Sequence, residues 1–202
     1  MSATARPMAE PMAEPTSVVQ MPGWWGMICL IATEASLFAY LLFSYFYIGA
    51  QAAQWPPTTP PELRLALPNT IILLVSSATL IWAESGMKKG QRTRYVIGTA
   101  ITIMLGIIFL CIQLLEYHGK NFGPSSHAYG SLFFTITGFH FAHVTVGLLM
   151  LAQVEVRAML GHFSASKHLA VRNTSMYWHF VDIVWLCVFF ALYITPRLWW
   201  HP

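Results

Sequence analysis

Five apolar runs constrain this chain more than any other feature. A helix needs about 20 residues to cross a hydrocarbon core of roughly 30 Å. The runs at 24–48, 67–86, 95–116, 129–152 and 177–196 reach that length. Lipid offers no hydrogen-bond partners, so a spanning segment must satisfy its backbone internally, as a helix does. The expected fold class is therefore all-α, an integral membrane bundle of five transmembrane helices occupying residues 23–202. Composition agrees. The chain is 56% hydrophobic and 9% charged, whereas soluble domains carry about 25% charge.

The segments between the runs behave as breaks. Residues 1–22 lack an apolar signal region and carry the imperfect repeat PMAEPMAEP. Proline at that spacing forbids a stable helix, so a disordered tail is expected. QAAQWPPTTPPELR is a proline-rich loop, Gly123-Pro124 breaks the chain before the fourth run, and Pro196 is expected to end the fifth. Trp199, Trp200 and His201 follow as an interfacial anchor. Arg6, Lys88, Lys89, Arg92, Arg94, Arg157, Lys167 and Arg172 fall on one side of the spans, with Arg64, Lys120 and Arg197 on the other. The positive-inside rule then puts the N-terminus inside and the C-terminus outside. A net charge of +3 spread over loops argues against nucleic acid as a partner. Cys29, Cys111 and Cys187 each lie within an apolar run and form no metal-binding pattern.

Ionisable residues inside the spans are the candidate functional groups, because they are costly in lipid and face protein. Glu34 lies about 15 Å along the first run, and His140 about 16 Å along the fourth. These depths match, and so do those of His143 and Asp182. Glu116 marks the outer end of the third run, and His179 stands three residues before Asp182 in YWHFVDIVW. Two chemistries fit such pairs: polar contacts that hold helices together, or a carboxylate that handles protons, Glu34 above all. A metal site built by His140, His143, His179 and Asp182 is a third reading. It would make the chain a free-standing membrane metalloenzyme or b-type cytochrome, but the remaining histidines (118, 127, 162, 168 and 201) sit in or near loops. A small transporter would show inverted repeats, and the five runs contain none. Nothing resembles an acyl-transfer nucleophile, so no catalytic residue is expected.

Certain stretches carry a resemblance. They are GMICLIATEASLFAYLLFSYFY at 26–47, LPNTIILLVSSATLIWA at 67–83, QLLEYHG at 113–119, YGSLFFTITGFHFAHVTVG at 129–147 and YWHFVDIVWL at 177–186. Together and in this order they resemble subunit 3 of the haem-copper oxidases, the cytochrome c oxidase family. The resemblance implies an accessory, non-catalytic subunit of a proton-pumping terminal oxidase that reduces O₂ in aerobic respiration. Such a subunit binds no haem, copper or other metal of its own. It packs mainly on subunit 1, shares the complex with subunit 2, holds structural phospholipids and supports proton uptake. Haem and copper sit in the partner subunits. The donor to the complex is cytochrome c or, in related enzymes, quinol. Glu34 matches the family's buried carboxylate, and His140, His143, His179 and Asp182 match its other membrane-embedded polar positions. Many members have seven spans. Five resembles the short bacterial form, implying the bacterial plasma membrane and a partner that fills the place of two helices before Trp24.

Overall fold

The computed structural model describes residues 22–57, 61–163 and 169–199. The tail and the Trp200-His201 part of the anchor lie outside them. Among the described residues every regular element is a helix, and five helical stretches are long and apolar enough to cross a membrane. They are α1 (Pro22–Gln51), α2 (Leu63–Lys88), α3 (Arg92–His118), α4 (Ala128–Met159) and α5 (Leu169–Phe189). One π turn, Phe190–Ile194, carries α5 into the short α6, Thr195–Trp199.

The helices overrun the apolar runs. Helix α4 continues to Met159 and α5 begins at Leu169, eight residues before Tyr177. Hydropathy marks the hydrocarbon core, whereas a helix keeps its hydrogen bonds into the polar interface. Helix α2 likewise starts ahead of Pro68, taking the proline into its early turns. Pro196 does not end the fifth span, contrary to expectation. A proline ring clashes with the carbonyl four residues back, and the wide turn before it relieves that clash. Arg197 then donates to the Tyr193 carbonyl at 2.6 Å and to the Pro61 carbonyl.

Two glycines stop helices. Gly90 (φ 71°) follows α2, with the Gln91 N–H reaching the Gly86 carbonyl and the Gly90 N–H reaching Met87. Gly161 (φ 80°) follows α4, with the same pattern from His162 to Arg157 and from Gly161 to Ala158. This paired capping needs a left-handed residue, which glycine adopts without a steric penalty.

Helix α5 forms the centre. Trp178 is buried, and a Cβ at Gly106 or Gly147 would come within 2.8 or 2.9 Å of its ring. The indole thus occupies a slot left open by two glycines on α3 and α4. Its Nε1–H donates to Ser76 Oγ at 3.2 Å, and two turns later Trp185 donates to Thr70 Oγ1 at 3.0 Å. Both hydroxyls lie on α2, in descending order, as an antiparallel neighbour requires. Asn69 Nδ2 reaches the Phe109 carbonyl at 3.2 Å and ties α2 to α3. Close approach through small residues, with hydroxyl and indole hydrogen bonds across helices, is how helices associate when lipid removes the hydrophobic drive. Helix α1 leans on α4 and α5 from outside.

Candidate functional site

The polar groups anticipated from the sequence fall into three places. The first lies where α1 meets α4. Glu34 and Phe38 are four residues apart, hence on one face of α1. Helix α4 runs antiparallel, so the lower member of α1's pair meets the later residue of α4. Glu34 Oε2 lies 2.9 Å from His143 Nε2, and Phe38 packs edge-on against both His143 and His140. The depth match of Glu34 with His140 is therefore off by nearly one turn, since the apolar run does not begin at the helix end. His143 Nδ1 lies 2.7 Å from the Phe139 carbonyl. A carbonyl only accepts, so Nδ1 carries a proton. One further proton then lies between Nε2 and Oε2, whichever atom holds it. The pair is neutral as a unit and is partly open at the bundle surface, with 28% of the Glu34 side chain exposed.

His140 is different. It is 1% exposed, with its ring 4.8 Å from Trp185 and edge-on to Phe109 at 5.9 Å. Neither of its ring nitrogens has a hydrogen-bond partner. It works as an aromatic core residue between α4 and α5.

The second place joins α5 to α2. His179 Nδ1 lies 3.3 Å from Ser77 Oγ, and buried Asp182 stands close to both Ser77 and His179. The expected match of His143 with Asp182 does not form, because α1 claims His143 and α2 claims Asp182. For the same reason His140, His143, His179 and Asp182 do not converge on a common point. Among the described residues, no three His, Cys, Asp or Glu side chains assemble as metal ligands.

The third place is the end of the bundle where α3 finishes. Glu116 Oε1 accepts from Tyr193 at 2.7 Å and from Lys120 at 2.8 Å. The Lys120 ammonium also sits over the Phe133 and Tyr193 rings at 5.0 and 5.6 Å. Glu116 thus locks α3 to the turn after α5, and the π turn is what aims Tyr193 at it.

Sequence reasoning overlooked the α2 hydroxyls Thr70, Ser76 and Ser77, which receive the polar edges of α5. Thr70 and Ser77, seven residues apart and so on one face of a helix, with Ser76 beside them, were the available signal. It also overlooked Glu155, which continues the buried stripe Leu148, Leu151 one turn beyond the apolar run.

A model of the family described as cytochrome c oxidase subunit III matches residues 9–200. The chain belongs to that family. Relatives named "Cytochrome c oxidase subunit 3" include one from Myxine glutinosa, 36% identical over 193 residues, covering 92% of this chain and 72% of the relative. Those from Gallus gallus and Danio rerio are 35% and 34% identical with the same coverage. The family stretches TEASLF and GFHFAHV are the two that meet at the Glu34–His143 contact. The stretch YWHFVDIVW supplies both indoles of the core.

Proposed function

We propose that this chain is the cofactor-free third subunit of a haem-copper terminal oxidase in a respiratory chain. In this reading it packs on subunit 1, beside subunit 2, in a complex that passes electrons from cytochrome c to O₂ and pumps protons. It stabilises subunit 1, holds phospholipids against its apolar faces and supports proton uptake. Haem and copper reside in the partner subunits. Its N-terminus lies inside and its C-terminus outside, as the lysine and arginine bias suggests. A bacterial plasma membrane is the proposed location.

The observation that carries the reading is the Glu34–His143 contact. Two family stretches far apart in sequence build one neutral, partly open carboxyl–imidazole pair within a membrane span. Such a pair keeps a carboxyl group inside a membrane span, at the edge of the bundle, without an isolated charge in lipid. The other groups are structural: His140 fills an aromatic cage, His179 and Asp182 bind α5 to α2, and Glu116 closes the outer end.

Affinity purification through a tag on this chain tests the assignment. The expected eluate holds haem-bearing and copper-bearing partners and oxidises reduced cytochrome c. Oxidation of quinol instead would move the donor, and an eluate without any haem protein would end the oxidase reading. Within the complex, Glu34→Gln keeps the shape and removes titration, so activity should decay faster during turnover while haem content stays constant. An unchanged lifetime and unchanged proton uptake would leave Glu34 as a helix contact only.

A further inference from the structure

Glu155 is a buried carboxylate that the oxidase reading leaves without a task. It lies near the inner end of α4 and is 5% exposed, on the stripe formed by Leu148, Leu151, Val154 and Ala158. Both carboxyl oxygens are shut off from solvent, and neither has a hydrogen-bond partner. Among the described residues no cation pairs with it, since the only ion pairs are Lys88–Glu84, Lys120–Glu116 and His143–Glu34. Three of the guanidinium groups at this end are engaged elsewhere, and the fourth, Arg172, stands half-buried on α5 three residues before Ser175 without an ion pair to Glu155. Arg94 lies over Trp82 and donates to Ser85, Arg157 lies over Phe163, and Arg92 packs against the Gly161 turn.

What shares the layer with Glu155 is neutral oxygen. A Cβ on Gly106 would come within 2.7 Å of Leu148, which sets these two residues of antiparallel α3 and α4 at one level. Seven residues further toward the inner end of each helix lie Thr99 and Glu155, about 10 Å below. Thr99 is 0% exposed and its hydroxyl has no partner. Tyr95, one turn along the same face, is buried beside Thr99 and within the field of Glu155 and of Glu84 from α2. From α5, Ser175 is buried with a free hydroxyl, next to Thr174 and Val171. Side chains lean toward the N-terminus of their helix, which directs Glu155 into the bundle rather than out of it.

A carboxylate taken out of water needs a proton or a counter-ion. A donor set of one carboxylate and hydroxyl oxygens, with no nitrogen or sulfur, suits a hard cation. A single negative charge suits a univalent one. We propose that Glu155, Thr99 and Tyr95, closed from above by Ser175, form an internal site for one small univalent cation, a proton or Na⁺, at the inner end of the bundle. The site concerns this chain alone and does not depend on the oxidase assignment.

Infrared difference spectra between wild type and Glu155→Gln decide the matter. They are recorded on the full chain, purified in detergent with whatever subunits accompany it, in potassium buffer with pH stepped and NaCl titrated. Glutamine matches glutamate in shape, so the difference isolates one carboxyl. For a proton site, a protonated-carboxyl band converts to carboxylate as pH rises, and sodium leaves it unchanged. For a sodium site, the carboxylate band shifts and saturates with Na⁺, while added K⁺ does nothing. A carboxylate band that responds to neither pH nor Na⁺ marks a permanently hydrated anion and overturns the proposal. Thr99→Val removes one oxygen ligand at constant shape. The midpoint of whichever titration is observed should move about tenfold, the equivalent of one hydrogen bond to a charged group. An unmoved midpoint removes Thr99 from the site.

Discussion

The first and fifth spans are almost equally apolar, yet 11% of the most apolar stretch of one is buried in the bundle against 56% of the other. The fifth is gripped on three sides, with Trp178 set between Gly106 and Gly147 and indole hydrogen bonds to α2. The first touches the bundle through Phe38, Tyr45, the Glu34–His143 contact and an Asn173 side chain donating to the Gly23 carbonyl at 2.9 Å. Much of its remaining surface, including Trp25, Tyr40, Phe43 and Tyr47, is exposed. Lipid tails solvate apolar side chains as well as protein does, so hydropathy cannot separate a central span from a peripheral one. What separates them is the shape of their neighbours: glycines and hydroxyls face α5.

Replacing one tryptophan from each span tests that contrast most severely. Trp178→Ala should lower the stability of the bundle by about 3–5 kcal/mol, in the range for emptying a large aromatic site. Trp25→Ala should change it by less than about 0.5 kcal/mol, as for exposed positions. Unfolding titrations in mixed micelles measure both, and equal losses would erase the distinction between the two spans.

Filling the slot is the reciprocal experiment. Gly147→Val puts carbon within 2.9 Å of the Trp178 ring, and overpacking of this kind costs about 1–3 kcal/mol. Combining it with Trp178→Leu should recover part of the loss, since the ring is what the added methyls strike.

A smaller effect is expected at the edge. His143→Leu leaves Glu34 facing lipid without a partner, a penalty of about 1–3 kcal/mol. Hydrogen exchange should quicken in α1 while α2 and α3 keep their protection. Exchange that quickens throughout would mean that α1 is integral to the core. Least of all, Thr70→Val deletes the acceptor of Trp185. Interhelical hydrogen bonds in membranes average about 0.6 kcal/mol, so the same micelle titration should register a loss of that size.

The number of spans was legible because it follows from the length and hydropathy of the apolar runs. Partners were not. His143 rather than His140 meets Glu34 because the true ends of α1 and α4 lie outside the apolar runs, and an error of one turn exchanges neighbours. The slot for Trp178 was invisible because a glycine's value lies in the atom it lacks, which only a facing side chain reveals. Glu155 was hidden because it belongs to a helical stripe that continues past the point where hydropathy falls. Pro196 misled because its usual effect, stopping a helix, was absorbed by a widened turn.

The connection between α2 and α3 is too short for the two helices to act separately. With Gly90 closing one helix and Arg92 opening the next, this stretch enters the bilayer as a pre-joined pair and carries its cluster of cations at the bend. Lysine and arginine resist translocation, so under the proposed orientation that bend stays on the inner side and sets the direction of the later crossings. Lengthening this turn would do more to scramble the topology of the whole protein than enlarging the proline-rich segment on the opposite side.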